Sequence, residues 1–238
     1  MMLSLVFVVA FLRRACPLST YRQVVRLPRQ ESIFVLAESL AEGGVGGDVT
    51  ARQCWPASRA CARFVCEVLG DETVLELGCG LAAPCLAAAK KGASCLATDL
   101  DPGALRLAAA AADSQGLQLE TMVFDLTDLT TPLPFANFYI FADVAADSRL
   151  ADAVAQRVEE ALVNNGIVLV AMQLDRAQRQ PLWRDLTRTA DTLSSDCYTG
   201  AASQVIEPTQ RALLQRRRHN NKPALVLLDV DENDPSLY

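Results

Sequence analysis

From residue 73 onward the chain alternates between two rhythms. Short runs, apolar at nearly every position, lie at 74–77, 94–98, 120–124, 138–142 and 167–172. Between most of them come stretches at 84–91, 102–114, 150–163 and 182–193 with the spacing of helices that bury one face. Strands buried on both faces and separated by helices are what a parallel sheet covered on both sides requires. Two more strand-like segments, 204–215 and 224–230, flank RRRHNNKP, where Asn220-Asn221 suits a tight turn. The pattern predicts an α/β fold: a Rossmann-like, doubly wound, mostly parallel seven-strand sheet closed by an antiparallel C-terminal hairpin. Upstream, residues 31–39 read as a strand, AEGGVGGD as a loop, and Pro56 as the start of a helix carrying Ala60, Cys61, Phe64, Val65 and Val68. The organisation expected is a leader or flexible N-terminus over 1–20, a strand and helix extension over 21–72, the sheet domain over 73–230, and an acidic, disordered tail over 231–238.

Length and charge narrow the classes. At 238 residues the chain suits one domain with a short appendage. A net charge of -6 supplies no field for holding a polyanion, which argues against DNA and disfavours RNA. Arg216, Arg217, Arg218, His219 and Lys222 form a local basic cluster, either a solvated hairpin tip or a docking patch. Eight cysteines and one histidine without a CxxC pair point to buried free thiols in a reducing compartment, and to no metal site. The apolar run 3–12 is too short to span a bilayer, so no stable membrane insertion is expected. Arg13, Arg14, Arg22, Arg26 and Arg29 follow it with no acid before Glu31, which suits either an organelle transit peptide or a strand packed on the domain. The location expected is intracellular, in the cytoplasm or an organelle.

The chemistry concentrates in VLELGCGLAAP, residues 74–84. In a doubly wound sheet ligands bind beyond the carboxyl ends of the strands, at the first strand-to-helix turn. Gly78 and Gly80 let the backbone approach a ligand, and Asp99, ending the next strand, stands where an acid takes both hydroxyls of a ribose. The spacing Gly78-x-Gly80-x-x-Ala83 also fits the tolerant dinucleotide fingerprint. Glu76, however, would repel a pyrophosphate and welcome a cationic aminoacyl end, and the chain has no Tyr-x-x-x-Lys pair for hydride chemistry. The charge pattern favours S-adenosylmethionine over NAD. Cys79 reads as a small filler rather than a nucleophile, because no histidine stands by to activate it.

VLELGCG followed by ATDLDP, and preceded by Trp-Pro and a helix, resembles the seven-β-strand S-adenosylmethionine-dependent methyltransferases. Within them it resembles the methyltransferase-like protein-lysine methyltransferases. The resemblance implies that Glu76, Gly78 and Gly80 bound the methionyl end of the cofactor. Asp99 takes the ribose, Leu100 lies against the adenine, Asp125 meets the adenine amine, and Trp55 lines the pocket. It makes Asp143 the catalytic residue of a family Asp-x-x-Tyr pattern, in which the aromatic is replaced here by Ala146. Either another aromatic such as Tyr139, Phe141 or Tyr198 replaces that ring, or the substrate differs, or activity is lost; the Asp175-Arg176 pair matches a substrate-rim arginine. The function implied is protein-lysine N-methylation by a monomer, on a partner such as a chaperone or a translation factor. The alternatives are a small-molecule N-methyltransferase on the same fold and a catalytically silent binding protein.

Overall fold

The computed structural model describes residues 19–39, 50–174, 179–192, 198–201 and 222–238. The chain opens with β1 (Ser19–Arg26) and β2 (Ser32–Ser39), paired antiparallel, and enters α1 (Pro56–Val68) with Pro56 in its first turn. It then runs through β3 (Thr73–Leu77), α2 (Ala83–Lys90), β4 (Ser94–Asp99), α3 (Pro102–Asp113), β5 (Glu120–Val123), β6 (Phe138–Ala142), α4 (Ser148–Val163), β7 (Ile167–Met172), α5 (Arg179–Thr192), β8 (Tyr198–Ala201) and β9 (Ala224–Asp229). Strands β3 to β9 form one sheet in the order β5-β4-β3-β6-β7-β9-β8. The chain leaves β3 toward β4 on one side and later returns to β6 on the other. The carboxyl end of β3 is therefore the topological switch point.

Side-chain alternation divides the core into two layers. Val74, Cys95, Phe138, Ile140, Ile167, Leu169 and Val226 pack with α1, α2, α3 and the β1–β2 hairpin. Leu75, Leu77, Tyr139, Phe141, Val168, Val170 and Leu225 pack with α4 and α5. Every residue of β6 and β7 is buried, as the unbroken apolar runs predict. The hairpin adds Val25, Ile33, Val35 and Ala37 to the first layer. Its outer edge at Phe34 is satisfied by Gln115, whose side-chain amide accepts from the Phe34 N–H (3.0 Å) and donates to the Phe34 carbonyl (2.9 Å). A single side chain thus stands in for a neighbouring strand.

Two expectations need correction. The sheet does not close with an antiparallel hairpin among the described residues: β9 runs parallel to both β7 and β8. Ala224, Val226 and Leu228 enter one core layer while Leu225 and Leu227 enter the other, which suits an interior slot. The segment 204–215 lies outside the described residues, as do Arg216 to His219. The acidic tail is ordered, because Leu237 is buried in the first core layer and Tyr238 lies under the Arg59 guanidinium, 5.2 Å from the ring centre. Arg22 and Arg26 sit in β1, the packed strand that is the alternative to a transit peptide for that stretch; most of its positions are exposed.

Candidate functional site

The turn after β3 is built from left-handed backbone. Gly78 and Gly80 have φ of 62° and 51°, and Ala82, just ahead of α2, has 55°. A Cβ on Gly78 would lie 2.8 Å from the Val144 side chain, and one on Gly80 would lie 2.9 Å from the Ala51 carbonyl. Close packing as well as backbone angle therefore demands glycine at both positions.

Glu76 points into the first core layer and is 1% exposed. Its Oε2 accepts the Cys85 N–H at 2.9 Å, so it caps the first turn of α2, which has no side-chain cap of its own. Its Oε1 has no hydrogen-bond partner. Burial, with a smaller contribution from the Asp99 charge, pushes the Glu76 carboxyl up to about 8, against the pull of the Cys85 amide. A buried acceptor left unmet costs about 1–3 kcal/mol, and a cationic donor placed there would remove that cost.

Asp99 stands at the end of β4, and its surroundings are different. Oδ2 accepts the Gly80 N–H at 2.8 Å and Oδ1 accepts the Asp101 N–H at 2.9 Å. An ionised carboxylate has about four acceptor sites, so each oxygen keeps a lone pair for a hydroxyl. Leu100 beside it is 64% exposed, an apolar face open to a planar ligand. Trp55 is half-buried ahead of α1. Asp125 is exposed, and its Oδ1 is engaged within its own loop by the Thr127 N–H (2.9 Å) and hydroxyl (2.7 Å), which hold its carboxyl below the usual range. Arg157 secures that loop by donating to the carbonyls of Leu126 (3.2 Å) and Asp128 (2.6 Å).

Asp143 follows β6 in left-handed backbone, φ 61°. Its Oδ1 accepts from Arg179 of α5 in a buried ion pair, with side-chain exposures of 3% and 1%. The same guanidinium donates through Nε to the Ala145 carbonyl at 3.1 Å. Arg179 thus pins both the carboxylate and the backbone just beyond Val144, the residue seated on Gly78. Sequence reasoning missed it and singled out Asp175-Arg176, which lies outside the described residues. Tyr139 and Phe141 do not replace the missing aromatic. They are 0% and 1% exposed in the second core layer, and the Tyr139 hydroxyl accepts the Ala136 N–H at 3.1 Å. The side chain of Tyr198 lies outside the described set. Burial beside Glu76 and Asp99 pushes the Cys79 thiol well up, which suits a filler and not a nucleophile. Cys54, Cys61, Cys66, Cys79, Cys85 and Cys95 are all free.

The switch-point turn, two strand acids and a glycine-lined approach fit a nucleoside that carries a cationic arm, and the unmet Oε1 of Glu76 is the feature that such an arm would answer. Residues 74–166 match a family described as a methyltransferase domain. No curated protein matches the chain. Among solved structures, a putative transferase from Pyrococcus horikoshii is 14% identical at a TM-score of 0.46, over 72% of this chain and 60% of that one. The 16S rRNA N2 G1207 methyltransferase RsmC of Thermus thermophilus, in complex with AdoMet and guanosine, is 17% identical at 0.40, over 58% and 39%. The tRNA (uracil-54, C5)-methyltransferase of Pyrococcus abyssi, in complex with S-adenosyl-L-homocysteine, is 15% identical at 0.39, over 58% and 32%. The chain spans less than two thirds of each of these proteins. The matched stretch runs from β3 to just past α4 on a Rossmann-like sheet, and what it is similar to is a methyltransferase domain.

Proposed function

We propose that the chain transfers a methyl group from S-adenosylmethionine to a lysine of a protein substrate. The observation that carries the cofactor half is the buried, partnerless Oε1 of Glu76 beside the glycine turn. Bound there, the cofactor supplies an electrophilic methyl on a sulfonium. Glu76 would accept a hydrogen bond from the aminoacyl ammonium, Asp99 would accept from the ribose hydroxyls, and Leu100 would lie against the adenine. Val144, packed on Gly78, would stand beside the methionyl arm and help keep water from it. Asp143 stands on the acceptor side, where methylation needs an amine held on the methyl axis with its lone pair free. A lysine is protonated at neutral pH, with an unperturbed pKa of about 10.4, so a carboxylate there favours its approach and the loss of the proton to water precedes transfer.

The pairing of Asp143 with Arg179 favours one second reading, a silent relative that binds cofactor and a partner without transferring methyl. Labelled methyl transfer from S-adenosylmethionine into cell lysate separates the two. The expected result is label on a protein band, recovered as methyl-lysine after hydrolysis. Label confined to the dialysable fraction would mean a small-molecule acceptor, and no incorporation by a protein that binds the cofactor would mean the silent reading.

A further inference from the structure

We infer that Arg52, in the short turn Thr50–Arg52 that leads into α1, is a positioning residue for the nucleoside half of the cofactor site. This rests on the reading of Asp99 as the ribose acid. Arg52 bridges two carboxylates from distant parts of the chain. Its Nε and Nη2 donate to Asp101 Oδ2 and Oδ1 at 2.8 and 3.3 Å, and its Nη1 donates to Glu38 Oε2 of β2 at 2.8 Å. All three side chains are only 16–25% exposed, so the guanidinium holds both acids in a partly desolvated cluster.

Five contacts carry that restraint to Asp99. Asp101 caps α3 through the Gly103 N–H, 2.7 Å away, and its own N–H is one of the two amides that hold Asp99. The other amide belongs to Gly80, and the space where a Gly80 Cβ would stand is taken by the carbonyl of Ala51, the residue before Arg52. The space of a Gly103 Cβ is likewise taken by the Arg52 guanidinium, 2.5 Å from where that carbon would be. A single three-residue turn therefore meets Gly80 through the Ala51 carbonyl and the Asp101 side chain through the Arg52 guanidinium, and two glycines leave it the room. A ribose diol needs its acceptor lone pairs in fixed directions, so loosening the turn lowers affinity without removing any group that touches the ligand. It also makes the N-terminal hairpin, through Glu38, part of the site.

Two variants test this from opposite sides. Arg52→Gln removes the bridge. Gly103→Ala removes no polar group, suits a helix better than glycine does, and displaces the Arg52 guanidinium. Calorimetric titration of wild type and both variants with S-adenosylhomocysteine and with adenosine should show roughly tenfold weaker binding in each variant. The loss should be equal for the two ligands, because both carry the ribose, and the urea midpoint of Gly103→Ala should stay at or above that of wild type. Wild-type binding that both variants retain within about twofold overturns the inference alone. A loss confined to S-adenosylhomocysteine also overturns it, since the methionyl arm would then be what Arg52 serves. A wild type that binds neither ligand overturns the cofactor reading itself.

Discussion

Asp99 and Asp143 stand at the carboxyl ends of β4 and β6, the two strands that flank β3, and they are held in opposite ways. Asp99 is held by the amides of Gly80 and Asp101, neutral dipoles that aim the carboxylate and leave its charge in place. Asp143 is held by the Arg179 guanidinium, which cancels that charge inside the protein. In the proposed function, the cofactor half would thus be a set of acceptors awaiting donors, whereas the acceptor half would be a closed ion pair that an incoming ammonium must share. Preparation of the first kind favours tight binding of one ligand, and that of the second kind favours an ordered loop beside it.

Breaking the ion pair should give the largest effect. Arg179→Met leaves a buried carboxylate without its charged partner, and the expected cost is about 3–5 kcal/mol of stability, read as a lowered urea midpoint. Adding Asp143→Asn, which suits the left-handed backbone at that position, should recover most of the loss. If the single variant is as stable as wild type, the pair is not holding the loop. A smaller effect, and one on binding alone, is expected at the other acid. Asp99→Asn keeps an acceptor for only one of the two amides and places an NH₂ against the other, so affinity for adenosine should fall by about 1–3 kcal/mol. Equal affinity would remove Asp99 from the ribose.

The sheet was legible because its interior strands are buried on both faces. Phe138–Ala142 and Ile167–Met172 appear in the structure with the bounds that the apolar runs suggest. The first motif was legible for a related reason: left-handed turns call for glycine, and an acid at the end of an apolar strand needs a partner. What escaped was long-range. Arg52 meets Asp101 49 positions away and Arg179 meets Asp143 36 positions away, with nothing in the local pattern to mark either arginine. The direction of β9 escaped because an apolar run is the same read either way, and the docking of the tail because Leu237 and Tyr238 are the only large apolar side chains in 231–238. Glu76 was recognised as a buried acid that needs an answer, but half of that answer is the Cys85 amide, which becomes visible only once α2 is folded onto β3.

Glu76 is therefore where the central claim is most exposed to test. Its folded carboxyl sits at about 8, above the ordinary 4.5. Its neutral form thus favours the ligand-free fold below the ordinary value, and that contribution is lost as pH rises through about 8. An aminoacyl ammonium binds the ionised form, so affinity should rise over the same range with release of a proton. The measurement is calorimetric titration with S-adenosylhomocysteine at pH 6 and pH 8, in buffers of differing ionisation heat, with NAD alongside. The predicted result is binding that tightens by about tenfold or more between the two pH values, proton release at pH 6, no binding of NAD, and a flat pH profile for Glu76→Gln, which keeps an oxygen for the Cys85 amide. Absence of S-adenosylhomocysteine binding, or the same pH profile in Glu76→Gln as in wild type, would contradict it.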